Sequence, residues 1–387
     1  MTPHEYRDIA PYEDHEFEHK MQQLVKEPGF EHAVRYVMPD VDYPAFAQDL
    51  LKVTTKHNFQ RQVMLPFLEM LAMKTTKGVK GVGFDKLDIE TSRTYISNHR
   101  DIVLDASFLN LCLVRTGHHT CEIALGNNLL IYSWIEDLVK LNKSFIVKRN
   151  LRLTQALEAA RQLSGYMHYC IQVKHESTWI AQREGRAKDS NDMTQESLIK
   201  MLTMGSQDTP VEAIKALNIT PISITYEYDP CDFLKATEYL LKRRDPDFHK
   251  SERDDLLSME TGILGYKGRV VFTATQCIND LLADLDPTAD RQTCVHTVAQ
   301  VIDKLIHCNY HIFPGNYIAY DRVEETPRFK DQYSEADVEA FDKYINGQLD
   351  KVELKDVSPD ERLWMKDMIQ QMYANPLRNY LKARGID

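Results

Sequence analysis

Residues 94–114 read TYISNHRDIVLDASFLNLCLV. Thr94 to Ser97 has the composition of a short strand, Asn98 to Asp101 is a polar break, and Ile102 to Val114 is an apolar, helix-like run interrupted by Asp105. The same succession recurs downstream. Strands are expected at Cys121 to Leu125, Ser144 to Val147, Thr178 to Ala181, Ile222 to Tyr226 and Arg269 to Thr273, with helical segments such as Leu151 to Tyr169 and Thr194 to Met204 between them. This alternation predicts an α/β fold with a mostly parallel central sheet flanked by helices.

The flanks read differently. Residues 1–85 predict a helical N-terminal region, with Pro39, Pro44 and Pro66 as breaks or helix starts and Gly78, Gly81 and Gly83 as a flexible joint. Residues 86–320 form the predicted α/β domain. Residues 321–387 are charged and predict a helical C-terminal extension interrupted at Pro327, Pro359 and Pro376.

The 387 residues are 43% hydrophobic and 27% charged, ordinary for a packed protein with a real core. The 47 basic and 58 acidic side chains leave a net charge of -11, which opposes general attraction to nucleic acid or to an anionic membrane surface. Any anion must be captured locally. The seven cysteines contain no CxxC pair and predict reduced core thiols. The acidic start MTPHEYRDIAPYEDHEFEH lacks the features of a secretory signal, and no run approaches the roughly 20 apolar residues of a bilayer span. A cytoplasmic location follows as the expectation, with peripheral contact on the inner face of the membrane left open. The segment that would make such contact is Val63 to Met73, followed by Lys74, Lys77 and Lys80; the alternative is that it packs on the main domain.

Four segments carry the chemistry. In the first, His99 follows a strand, and Asp105 or Asp101 is placed to orient its ring. A neutral imidazole so held can take the proton of a hydroxyl while that oxygen attacks a thioester carbonyl. In the second, Lys143 to Asn150 (KSFIVKRN), a strand delivers Lys148 and Arg149 as candidate phosphate ligands. In the third, Arg183 to Asp189 (REGRAKD), Gly185 permits a tight turn, Arg186 or Lys188 is positioned to hold phosphate, and Glu184 to bind a hydroxyl or place an arginine. The fourth, Pro221 to Glu227 (PISITYE), reads as a core strand. His118, His119, Cys121 and Glu122 lack a recognisable zinc spacing, so no metal is expected. Neither a dinucleotide-binding glycine pattern nor a GxSxG nucleophile turn is found.

Taken in order, the four segments resemble the motif blocks of the glycerolipid acyltransferase superfamily, which includes glycerol-3-phosphate and lysophosphatidate acyltransferases. Ser97-Asn98-His99 and Asp105-Ala106-Ser107-Phe108-Leu109 correspond to the first block, with five intervening residues where the family has four. Lys143 to Arg149 correspond to the second, with Lys143 at a glycine position and Ile146 at a phenylalanine position. Glu184-Gly185-Arg186 correspond to Glu-Gly-Thr-Arg with one residue missing. Pro221 to Tyr226 correspond to the fourth, and Gly268 to Phe272 and Phe313 to Tyr317 resemble the bacterial glycerol-3-phosphate branch. The likeness spans Thr94 to Tyr320.

The resemblance implies a glycerol-3-phosphate acyltransferase-like fold and transfer of a fatty acyl group from acyl-CoA or acyl carrier protein to glycerol phosphate or a lysophospholipid. No cofactor is implied beyond that donor substrate. By carry-over His99 is the general base and Asp105 its partner, Arg149 and Arg186 bind phosphate, and Glu184 with Gly185 shapes the acceptor pocket. The extra residue before Asp105 would turn the acid by about 100° on a regular helix, so a loop must absorb it and Asp101 competes for the role. The shortened third turn leaves Lys188 competing with Arg186. Two other readings stay open: a non-catalytic lipid or acyl-donor binding protein of the same fold, and an acyltransferase for a lysolipid without phosphate.

Overall fold

The computed structural model describes residues 1–386. Seven strands form one sheet: β1 (Val79–Val82), β2 (Thr94–Ser97), β3 (Glu122–Gly126), β4 (Ser144–Val147), β5 (Thr178–Ala181), β6 (Thr220–Tyr226) and β7 (Val270–Ala274). Their order across the sheet is β1-β7-β6-β2-β5-β3-β4. From β6 to β4 every pairing is parallel, while β7 runs antiparallel to β6 and takes β1 with it. The α/β class read from the alternating pattern is therefore the observed one.

Successive side chains on a strand point to opposite faces, and this divides the core. Tyr95, Trp179, Ile222 and Ile224 join one apolar cluster with Phe108 and Leu109 of the Leu104–Arg115 helix. Ile96 and Ile180, one position along, join a second cluster with Tyr166 of the Leu153–Tyr169 helix and Val298 of the Arg291–Cys308 helix. Helices on both faces explain why β2 and β6 are buried along their whole length.

The expected glycine joint at 78–83 is instead the edge strand β1, so the sheet begins before residue 85. Val79 is buried, and Gly81 lies so close to the next layer that a Cβ would meet Cys112 Cβ at 3.2 Å. Gly83 ends the strand with φ 79, where any side chain would press on the Ala274 carbonyl. These glycines serve close packing and a turn, which composition alone does not separate from flexibility.

The flanking helices cover opposite ends. The Asp14–Leu24, Pro28–Val37 and Tyr43–Leu50 helices share an apolar cluster with Phe59 and Leu141 and lean on Trp134 and Leu138. Val63 to Met73 mostly turns inward: Leu68, Leu71 and Ala72 are buried, whereas Met73 is 78% exposed. The C-terminal cluster already includes Ile318 and Ala319, packed with Phe341, Ile345 and Met365. The Pro314–Val323 helix thus belongs structurally with the helices that follow it. No described helix is long and apolar enough to cross a membrane.

Candidate functional site

The four segments converge at the carboxyl ends of β2, β4 and β5 and on buried β6, the edge where parallel sheets expose their loops. His99 follows β2 by two residues, and its Nδ1 lies 2.8 Å from Asp105 Oδ2. The same oxygen accepts the Arg100 amide at 2.6 Å and the Asp101 amide at 3.0 Å. Asp105 is fully buried in the first turn of the Leu104–Arg115 helix. A carboxylate only accepts, so Nδ1 carries the ring proton and Nε2 offers its lone pair. The ring is 14% exposed, borders the cavity, and meets the Trp179 ring edge-on at 6.0 Å.

Asp101 does different work. Its Oδ1 accepts the Val103 and Leu104 amides at 2.8 and 2.7 Å and so caps the helix start. The extra residue between His99 and Asp105 is absorbed by the non-helical turn that Asp101 stabilises, so no helical rotation separates acid from ring. Burial, then the neighbouring Asp105 charge, raises the pKa of Asp101 despite those amides. Tyr226 is buried nearby, and burial followed by the charges of Asp105 and Asp101 holds its phenol protonated.

The turn is tied down from below. Asn98 pairs with β6 through both amide groups, donating to the Ile224 carbonyl and accepting its amide, each at 2.8 Å. Arg100 points away from the cavity and forms a buried ion pair with Asp192, which also accepts the Tyr310 hydroxyl at 3.0 Å. Tyr226, Arg100 and Asp192 carry no local sequence signal for this role; a core strand and a charged loop look the same without their partners.

The second segment reaches the site through Arg149. Its amide donates to Asn127 Oδ1 at 2.9 Å, and Gly126 leaves the space its guanidinium occupies. Its Nη1 lies 3.5 Å from Glu184 Oε1, joining the second and third segments. Lys148 also borders the cavity but pairs with Asp8 and Gln162. Lys143 sits at the other end of β4, buried against Glu176 at 2.7 Å, and has φ 60. A left-handed backbone is what a glycine at that position accommodates without strain.

In the third segment Gly185 has φ 69 and open space around it, and the Glu184 amide donates to Gln195 Oε1 at 2.7 Å. Arg186 borders the cavity, with Nη1 buried and lacking an acceptor among the described residues. Lys188 borders it as well but is paired with Glu238.

His99, Lys148, Arg149, Glu184, Gly185, Arg186 and Lys188 all border one cavity of about 2240 Å³, well above the roughly 300–1,000 Å³ of a site for one small ligand. The N-terminal region contributes the apolar Phe46, Leu50, Val63, Phe67 and Met70 to its lining, together with Ala106 and Leu138 from later helices. The second and third segments contribute Arg149, Arg183, Glu184, Arg186 and Lys188. His99 borders the same space. The helices read from sequence only as an N-terminal extension thus provide one apolar wall. Among the described residues no cluster of three metal-ligating side chains is found.

No family model matches the chain, and no curated protein matches it. Among solved structures, the 1-acyl-sn-glycerophosphate (LPA) acyltransferase PlsC from Thermotoga maritima matches with a TM-score of 0.35 and 11% identity, over 75% of this chain and 97% of that one. A likeness at that score is too distant to build on.

Proposed function

We propose that this chain is an O-acyltransferase that moves a fatty acyl group from acyl-CoA or acyl carrier protein to a hydroxyl of glycerol 3-phosphate or a lysophospholipid. The observation that carries this reading is a His99–Asp105 pair whose imidazole borders a single large cavity, lined by apolar side chains of the N-terminal region and by cations of the second and third segments. An acyl chain suits the apolar lining and a phosphorylated alcohol the cations.

In the reaction, His99 Nε2 takes the proton from the acceptor hydroxyl as its oxygen bonds to the thioester carbonyl carbon. Asp105 stabilises the imidazolium. The tetrahedral adduct then collapses, the carbon–sulfur bond breaks, and the departing thiolate takes the proton from the ring. Ester and free thiol result, with no acyl-enzyme. Arg149 and Arg186 hold the acceptor phosphate, with Glu184 and Gly185 forming the adjoining wall; Lys148 and Lys188 add positive charge from within their ion pairs. Peripheral membrane contact is part of the same proposal, since a lysophospholipid acceptor resides in a bilayer.

Thiol release from palmitoyl-CoA, measured with glycerol 3-phosphate and with lysophosphatidate, tests the reading. A folded His99→Ala protein should lose about 10²- to 10⁴-fold in rate. Undiminished transfer would refute the base assignment, and acyl-CoA binding without any thiol release would favour the non-catalytic alternative.

A further inference from the structure

The loop that carries Glu184, Gly185 and Arg186 leaves β5 at Gln182 and ends at Gln195, just before the Glu196–Leu202 helix. Its two ends are laced together and to β2: the Gln182 amide donates to the Ser97 carbonyl at 2.8 Å, and the Gln195 amide to the Gln182 carbonyl at 2.9 Å. Between those ends the loop returns to the interior at Asp192, which is fully buried. Three side chains meet it there. Arg100, the neighbour of His99, pairs with its carboxylate, Tyr310 donates to Oδ2 at 3.0 Å, and His307 Nε2 lies 2.7 Å from its carbonyl. Two residues on, Thr194 donates its amide and its hydroxyl to Asp303 Oδ1 at 2.8 and 2.6 Å, fastening the loop to the Arg291–Cys308 helix. Neither Arg100 nor Asp192 borders the cavity.

A buried ion pair adds little net stability, because desolvation of both charges offsets their attraction. What it supplies is a fixed direction between the two segments it joins. We propose that Arg100 and Asp192 are positioning residues, a strut that sets the His99 imidazole at a fixed distance from the loop holding the acceptor. The inference rests on the acyl-transfer reading for what those two segments do. The acceptor oxygen must stand about 2.6–3.2 Å from His99 Nε2 while its phosphate is held on the loop, and a shift of about 1 Å between the two costs about 10²-fold in rate. Water needs no such loop. In hydrolysis His99 deprotonates a water molecule, its oxygen bonds to the thioester carbon, and the departing thiolate takes the proton from the ring, leaving fatty acid and free thiol. A displaced loop therefore penalises transfer to the acceptor more than hydrolysis.

Ester formed and fatty acid released from palmitoyl-CoA in the presence of glycerol 3-phosphate report transfer and hydrolysis in one assay. Arg100→Met and Asp192→Asn each leave a buried charge unpaired and should lower the urea midpoint. The double variant is neutral there, keeps an acceptor for Tyr310, and should recover that midpoint. Its ratio of transfer to hydrolysis should still fall about ten- to a hundredfold. Loss of folded protein lowers both products alike, so the ratio reports position rather than stability. A wild-type ratio in the folded double variant overturns the strut. Should that variant fail to fold, Asp192→Asn carries the test as the smallest change of shape, and an unchanged ratio there overturns the strut too. Amide hydrogen exchange reads the strut without turnover: in the double variant it should quicken across residues 99–104 and 183–192 and hold elsewhere, and unchanged exchange in both stretches also overturns it. A wild-type protein that releases no thiol, with the exchange response intact in the variant, would sink the acyl-transfer reading and leave the strut standing.

Discussion

At the residue scale, the question the sequence left open was which aspartate serves His99. Two acids within six positions of a histidine look equivalent on paper, because the sequence does not show where the helix begins. The structure separates them: Asp105 Oδ2 meets Nδ1 at 2.8 Å, and Asp101 Oδ1 is occupied by the Val103 and Leu104 amides at the helix start. The two substitutions should therefore differ in kind. Asp105→Asn keeps an acceptor but removes the charge that stabilises the imidazolium, so kcat should fall by about 10²- to 10⁴-fold with modest change in KM. Asp101→Ala removes a cap and should cost about 0.5–2 kcal/mol of stability, with a smaller loss of rate. Thioester kinetics and urea unfolding on both variants check the pair of outcomes, and the reverse pattern would exchange the roles. His99 and Arg149 were legible because each follows a strand end, where side chains meet at one edge of a parallel sheet, and Asp105 because it opens the apolar helical run after β2. Trp179 and Tyr226 were not, since their strands read only as core.

At the scale of elements, six strands were legible from β-branched and aromatic runs, with ends shifted by a residue or two where backbone pairing extends past the apolar core. Thr220 and Pro221 belong to β6 in this way. β1 was missed because two of its four residues are Lys80 and Gly81. Another glycine shows what such close approaches do. Gly262, on the Glu252–Leu264 helix bordering the cavity, lies against the Asp101 carboxylate, and a Cβ there would overlap Asp101 Oδ2. Alanine gains up to about 1 kcal/mol in helix propensity, yet it must displace the group that caps the helix carrying Asp105. Gly262→Ala should accordingly be destabilising on balance, by roughly 1–3 kcal/mol, and should slow transfer more than a propensity change alone would. Urea midpoints together with kcat measure both effects; a more stable variant with full activity would show that the contact relaxes freely.

At the scale of the whole molecule, the C-terminal helices dock onto the α/β domain through a carboxyl group that no local pattern marks. Asp232 is fully buried, and its partners lie far along the chain: Gln348 Nε2 at 2.5 Å and the Tyr373 hydroxyl at 3.0 Å. Burial, and then the adjacent Asp229 charge, raises its pKa to about 7. Burial also works on Asp229, but there Lys235 and Arg186 outweigh it and hold that carboxyl low, so Asp229 stays charged in the same range. Linkage fixes the sign of the outcome. Between about pH 4 and pH 7 the folded chain keeps a proton on Asp232 that the unfolded chain releases, so this group's contribution favours folding below that window. The contribution is lost progressively as pH rises toward 7 and changes little above it. Asp232→Asn stays neutral at every pH and can still accept from Gln348. Its stability should lack this fall, so the gap between variant and wild type should widen in the variant's favour from pH 5 to pH 7 and then hold constant to pH 8. Urea unfolding at those three values measures it. Parallel pH profiles for the two proteins would mean that Asp232 is ionised in the fold and that the C-terminal helices dock around a charge rather than a shared proton.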